Sequence, residues 1–151
     1  MEEREERGGA VRVGMVWGGI GGVVGLLGSL LGSLVGILIA GFIGVACGRR
    51  AAAAERRAGA LSGLVGGAVA APVYVLGSTL GALFAAREIG ASMMAATLSE
   101  LLDTRVSADE AWTLFLVSLV LSAILEITVL VLASTAAGAW TKRPRSGDFD
   151  R

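Results

Sequence analysis

Long apolar runs alternate with short charged segments along the chain. The runs 13–48, 58–86 and 111–141 contain a single charged residue, Glu126. Apolar stretches of 18 or more residues are typical of membrane-spanning helices. The helices of a soluble bundle, which is the alternative, would show a polar stripe at helical spacing, and these runs show none. The pattern therefore predicts an all-α, polytopic transmembrane helical bundle.

The run 13–48 is too long for one ordinary crossing. As a single helix it would measure about 54 Å, against a hydrocarbon core of about 30 Å. One solution is a long helix whose first turns lie in the interface, which gives three spans in total. The other is a hairpin of two short spans, which gives four. The positive-inside rule favours four, because the N-terminal cations then lie on the same side as those of segment 49–57 and of the C-terminal tail.

The four-span prediction divides the chain into two tails and one transmembrane domain. Residues 1–12 form a charged cytoplasmic N-terminal tail, and residues 142–151 form a cytoplasmic C-terminal tail. The domain between them covers residues 13–141, with spans at about 13–28, 30–48, 58–86 and 108–141 and an external segment at 87–107. We expect a short amphipathic helix in the external segment. Ser107-Ala-Asp-Glu110 has the pattern of a capping box at the start of the last span.

Small residues recur at every fourth position in the first two runs. The predicted helix-packing positions are Gly28, Gly32, Gly36, Ala40 and Gly44, followed by Gly59, Gly63 and Gly67. The first series would form a continuous groove only on an unbroken helix, so it argues against a hairpin that turns after Gly28. The same spacing serves close packing within one chain and self-association of several chains, and the sequence leaves both open.

Aromatic and basic residues at the ends of the runs are predicted to anchor the helices at the membrane interfaces. Trp112 and Trp140 would lie about 42 Å apart along a helix, which matches the bilayer with its headgroup zones. The complete set of predicted anchors is Trp17, Trp112, Trp140, Arg49, Arg50, Arg56 and Arg57.

Glu126 is the residue that packing alone does not explain. A charge near the middle of a span costs about 2.5 to 3.5 kcal/mol on insertion scales, and no Lys or Arg occurs in any span to pair with it. We therefore expect a protonated side chain. Ser118 and Ser122 share its helix face, which should point at the other helices.

Two roles for Glu126 remain open at this point. It is either a proton- or cation-handling carboxyl or a neutral side chain that joins two helices by a hydrogen bond. Tyr74 and the backbone carbonyl freed by Pro72 are the expected bonding partners in the second case.

The composition excludes several classes of function. The chain has 151 residues, of which 54 % are hydrophobic and 17 % charged, with a net charge of zero, no His and a single Cys. A zinc site of Cys and His and an internal disulfide are therefore excluded. No catalytic constellation is present, so we predict no enzyme activity, no metal and no cofactor. The predicted partners are the lipid bilayer and either a second copy or other membrane subunits, without nucleic acid, in the cytoplasmic (inner) membrane.

Residues 13–86 resemble an uncharacterised family of small, mostly haloarchaeal multi-span membrane proteins. The matching text is Leu34-Val-Gly-Ile-Leu-Ile-Ala-Gly-Phe, then Gly48-Arg-Arg, then Arg57-Ala-Gly-Ala-Leu-Ser-Gly-Leu-Val-Gly-Gly67. The resemblance covers about half of the chain. The resemblance implies a membrane protein and does not imply any activity.

Overall fold

The chain folds as an all-α bundle. The computed structural model describes residues 2–29, 32–54 and 59–141. Within these ranges every regular element is a helix, which confirms the predicted fold class. The elements are α1 (Glu2–Ser29), α2 (Ser33–Ala54), α3 (Gly59–Ile89), α4 (Ala91–Leu102) and α5 (Ala108–Trp140).

Four of the described helices are long and apolar enough to cross a bilayer. Their apolar segments are Gly8–Gly28, Leu34–Ala54, Gly59–Ile89 and Ala108–Trp140. Large apolar side chains such as Phe42, Leu76 and Leu132 are exposed on the outside of the bundle. Such exposure is what a hydrocarbon solvent permits. The chain is thus a multi-pass membrane protein with four candidate spans. The single long helix of the three-span alternative does not form, because α1 ends at Ser29 and α2 begins at Ser33.

The break in the first apolar run lies at Gly32. Gly32 has φ +110°, a conformation that side chains with a Cβ rarely adopt. Its carbonyl oxygen accepts the N–H groups of Val35 and Gly36, at 3.2 and 3.3 Å, and so starts α2. A Cβ added at Gly32 would meet no atom within 4 Å. The predicted continuous groove from Gly28 to Gly44 is therefore wrong, because Gly32 provides a turn and not a packing surface.

The helix ends also refine the predicted tails. The first helix begins at Glu2, so residues 2–12, which were predicted as a cytoplasmic tail, are helical and continuous with the first candidate span. The predicted C-terminal tail, residues 142–151, lies outside the described residues, as do Arg56 and Arg57.

α2 and α3 are the central pair of the bundle. Both contact α1 on one side and α5 on the other, whereas α1 and α5 do not contact each other within the described ranges. The buried core lies between these helices and includes Ala40, Cys47, Ala70, Tyr74 and Leu130.

Glycines bring α1 and α3 into close contact. A Cβ on Gly14 would lie 2.7 Å from the carbonyl oxygen of Gly66, and one on Gly18 would lie 3.0 Å from that of Ala70. One turn further, a Cβ on Gly22 would lie 2.9 Å from the carbonyl oxygen of Val73. These distances show that only glycine lets the two backbones approach so closely. Gly14, Gly18 and Gly22 were not among the predicted packing positions.

A second set of close contacts joins α5 to α2 and α3. Cβ atoms on Gly44, Gly59, Gly63 and Gly67 would each collide with α5, at Leu130, Gly138, Ser134 and Ser134 in turn. The buried Ser134 hydroxyl donates a hydrogen bond of 2.6 Å to the carbonyl oxygen of Gly63. These four predicted packing positions therefore lie in helix–helix contacts within one chain.

The α1–α2 hairpin is shorter than the two helices beside it. Gly14 of α1 faces Gly66 of α3, so both lengths can be measured from that level. From there α3 rises about 35 Å to its end at Ile89, whereas α1 rises only about 22 Å to its end at Ser29. The hairpin turn therefore ends about 12 Å below the α4 end of α3. The space above the turn is bordered by α3, α5 and α4.

α4 joins the ends of α3 and α5 above this space. It lies where the sequence predicted a short amphipathic helix, it packs on α5, and Ala95 is its buried residue. The predicted capping box at the start of α5 is confirmed. Ser107 N–H donates to Glu110 Oε2 at 2.8 Å, and Glu110 N–H donates to Ser107 Oγ at 3.3 Å.

Candidate functional site

Glu126 lies where three helices meet in the middle of the bundle. Its side chain is 5 % exposed. The Ser78 hydroxyl of α3 donates a hydrogen bond of 2.7 Å to Glu126 Oε2. Ser78 Oγ also lies 3.2 Å from the carbonyl oxygen of Val75, which is an alternative acceptor for the same hydroxyl proton.

The third helix at the site is α2, which approaches through Gly36. A Cβ on Gly36 would lie only 2.7 Å from Glu126 Oε1, so the missing side chain leaves room for the carboxyl group. The buried Tyr74 hydroxyl donates a hydrogen bond of 2.6 Å to the Gly36 carbonyl oxygen. Tyr74 thereby joins α3 to α2 directly below the carboxyl group.

The bonding partners predicted for Glu126 are wrong. Tyr74 donates its hydroxyl proton to the Gly36 carbonyl oxygen of α2, so this proton does not bond the carboxyl group. Pro72 lies within α3, one turn and a half before Ser78, and its region provides no bond to Glu126. Ser78 itself was missed, although its position four residues after Tyr74 places both on one helix face.

Ser118 and Ser122 on α5 do not pack against the other helices as predicted. Ser118 is exposed, and its hydroxyl donates to the carbonyl oxygen of Phe115 at 2.8 Å. Ser122 is half-buried. The face that carries them packs against α2 and α3 from Glu126 onward, where Leu130 and Ser134 are buried, because the α1–α2 hairpin ends near the level of Glu126. Between the start of α5 and Glu126 the same face borders the open space under α4.

This space is a cavity of about 380 Å³ whose lining includes three of the four predicted polar residues, without Tyr74. Glu126, Ser122 and Ser118 line it from α5, and Ser78 and Thr79 line it from α3. The remaining lining residues are Gly32, Gly36, Ala82, Ala85, Ala86, Ile89, Met94, Phe115, Leu119 and Ala123. The cavity therefore reaches from α4 to the middle of the bundle, and Glu126 lies at the end farthest from α4.

The packing on the other side of Glu126 is dense. Ala40, Tyr74 and Leu130, the buried residues next to the carboxyl group, are 0 % exposed. Below them, Cys47 and Ser134 are also fully buried. In this conformation the carboxyl group is therefore reached from the α4 side and closed off from the opposite side.

Among the described residues, no three His, Cys, Asp or Glu side chains come together in a way that could hold a metal ion. Glu126 is the single carboxylate among the residues that line the cavity. The arrangement suits the exchange of one positive charge, with hydroxyl groups as the neighbouring hydrogen-bond partners.

No protein-family model, curated protein or solved structure matches the chain. The resemblance to the haloarchaeal family stays a prediction.

The predicted interface anchors occupy three different environments. The Arg50 guanidinium lies 6.0 Å from the centroid of the half-buried Trp17 ring, at the outer limit of a cation–π contact. Arg49 and the 85 % exposed Trp140 line one groove between α2 and α5. At the opposite end of α5, the Trp112 ring packs on Phe115 with a centroid distance of 5.4 Å.

Proposed function

We propose that this protein is a non-enzymatic integral membrane protein in which Glu126 takes up and releases a proton through the cavity under α4. The observation that carries the proposal is the position of Glu126 at the inner end of that cavity. By the positive-inside rule, Arg49 and Arg50 lie on the cytoplasmic side, so the cavity faces the external side.

The surroundings of Glu126 favour exchange between its charged and neutral forms. No Lys or Arg lines the cavity, so the ionised carboxylate has no cationic partner there. Ionisation inside a span is costly, and this favours the protonated acid. The cavity lowers that cost by admitting water to its inner end, where the hydroxyl groups of Ser78 and Ser122 and the carboxyl group itself are hydrogen-bond partners for it. The Glu126 side chain can then occur in both its ionised and its protonated form.

Ser78 supports the proposal because it can serve both forms of the carboxyl group. Its hydroxyl donates to Glu126 Oε2 when the carboxylate is ionised. When the acid is protonated, the Ser78 oxygen can accept the acid proton while its own hydroxyl turns to the Val75 carbonyl oxygen. Neither state leaves a buried donor without an acceptor, and such a loss would cost about 1 to 3 kcal/mol.

Transport across the membrane requires a second conformation. The layer of Ala40, Tyr74 and Leu130 must open toward the Arg49 side before a proton can leave in that direction. A bundle that alternates between the two openings with the proton bound would be a proton carrier and not an open channel.

The test uses purified protein reconstituted in liposomes with a pH-sensitive dye inside. We expect proton flux with the wild type and its loss in Glu126→Gln, which keeps the side-chain volume and removes the ionisable proton. The matched control is Glu100→Gln, because Glu100 is an exposed carboxylate on α4 and does not line the cavity. Equal and negligible flux from wild type and Glu126→Gln would contradict a role in transport.

A second candidate function is that of a packing subunit that self-associates or joins other membrane subunits. The hydrogen bond between Glu126 and Ser78 favours the structural role that this function assigns to Glu126, because it joins α3 to α5 within one chain without any need for proton exchange. A hydrophobic carbodiimide, which reacts with protonated carboxyl groups, separates the two functions. Labelling of Glu126 that falls as the pH rises supports proton exchange, whereas a carboxyl group that does not label at any pH supports the packing function.

A further inference from the structure

The cavity under α4 has a polar end and an apolar end. The hydroxyl groups of Ser78 and Ser122 lie near Glu126 at the inner end. Toward α4 the walls become apolar, with Ala85, Ile89, Met94, Phe115 and Leu119. A path that served only to hydrate the carboxyl group would need polar groups along its whole length, and the outer half has few.

The size of the cavity also exceeds what a proton path requires. A file of single water molecules needs about 30 Å³ for each molecule. The cavity measures about 380 Å³, which lies within the range of about 300 to 1,000 Å³ typical of small-molecule sites. An apolar wall with a single charged group at its end is the usual composition of such a site.

We propose that the cavity binds a small lipophilic organic cation, which takes the place of the proton on Glu126. This inference depends on the proposed function, because Glu126 must be able to release its proton. On binding, the carboxylic acid gives its proton to water and the carboxylate pairs with the incoming cation. One positive charge enters and one leaves, so the net charge of the site does not change.

The charges around the cavity agree with this class of ligand. Glu126 is the one charged group in the lining, so no Lys or Arg side chain competes with a ligand for the carboxylate. A divalent ion would need a second carboxylate, and the lining contains none. Tyr74 is the other titratable group close to it, and its hydroxyl is held by the Gly36 carbonyl oxygen. Phe115, about 16 Å from Glu126 along α5, belongs to the apolar end of the cavity, where the apolar part of the ligand would lie.

The probe for this proposal is benzyltrimethylammonium, which has a quaternary charge and an apolar ring. It carries no acidic proton, so any proton released on binding comes from the protein. Two controls test what is recognised. Neopentylbenzene has the same shape without the charge, and benzenesulfonate has a ring with the opposite charge.

Binding is measured by titration calorimetry of the full-length protein in detergent, in two buffers of different ionisation enthalpy. We expect benzyltrimethylammonium to bind with release of one proton and with an affinity that rises up to tenfold per pH unit while Glu126 is protonated. Neither control compound should bind comparably. Bound benzyltrimethylammonium should also protect Glu126 of the wild type from the hydrophobic carbodiimide.

Three variants test where benzyltrimethylammonium binds. Glu126→Gln should abolish the binding and the proton release, whereas Glu100→Gln, outside the cavity, should retain both. Ala85→Phe narrows the apolar part of the cavity and should weaken the binding of benzyltrimethylammonium at least tenfold. This variant tests the proposal even if Glu126→Gln folds poorly.

The outcomes separate this inference from the proposed function. If the carbodiimide labels Glu126 in a pH-dependent manner but benzyltrimethylammonium does not bind or does not protect, the inference is overturned and proton exchange stands. The same holds if neopentylbenzene binds as tightly as the cation. If Glu126 does not label at any pH and no cation binds, both proposals fail.

Discussion

The crossing of α1 and α3 gives a sharp test of the fold, through substitution of Gly14 by alanine. A Cβ at this position would lie 2.7 Å from the Gly66 carbonyl oxygen and 2.9 Å from Val69 Cβ. Carbon atoms pack best at about 3.5 to 4.0 Å, so the two helices would have to separate. The neighbouring atom is a backbone oxygen, which cannot rotate away as the end of a flexible side chain can.

Gly19 is the matched control because it lies on the same helix, in the same span. A Cβ on Gly19 would meet no atom within 4 Å. Both substitutions replace a helical glycine by alanine, which in soluble helices favours the helix by about 0.8 to 1.0 kcal/mol. That contribution cancels in the comparison. The remaining difference is the cost of overpacking at Gly14, typically about 1 to 3 kcal/mol.

The measurement is the free energy of unfolding in mixed micelles, obtained by titrating the purified protein with a denaturing detergent and following circular dichroism. We expect Gly14→Ala to be less stable than Gly19→Ala by about 1 to 3 kcal/mol. Each 1.4 kcal/mol corresponds to a tenfold change in the equilibrium constant, so the difference is measurable. If the two variants were equally stable, the close contact of α1 with α3 would be refuted.

Three further substitutions test single hydrogen bonds. Tyr74→Phe removes the bond to the Gly36 carbonyl oxygen and should lower the free energy of unfolding by about 0.5 to 1.5 kcal/mol in the same detergent titration. Ser78→Ala removes the hydroxyl that serves both forms of Glu126 and should slow proton flux in liposomes, whereas Ser78→Thr should retain it. Ser107→Ala removes the N-cap of α5 and should cost about 1 kcal/mol of unfolding free energy, and Ser107→Asp should restore most of it.

The sequence identified the membrane class and favoured four crossings over three. Uncharged runs of this length leave a chain no solution but helices that satisfy their own backbone hydrogen bonds in lipid. The excess length of residues 13–48, together with the distribution of cations, favoured a hairpin over one helix. The local signal at Ser107 and Glu110 also sufficed for the capping box, because all of its atoms lie within four residues.

The sequence was less informative about the turn within the first run. The four-residue repeat from Gly28 to Gly44 suggested one unbroken face, yet Gly32 adopts a positive φ and ends it. The same residue type serves close packing and left-handed turns, so spacing alone could not separate the two uses. The contacts of the neighbouring helices decide which use applies.

Only the tertiary structure decided which helix faces meet and where the cavity lies. In a soluble protein a polar stripe marks the outer face of a helix, but lipid is as apolar as a protein core, so the spans carry no such mark. The contact of Gly14 with α3 and the bond of Ser78 to Glu126 were therefore not predictable from pattern. The sequence identified Glu126 as the group that needs an explanation, and the short hairpin beside α3 and α5 made it accessible.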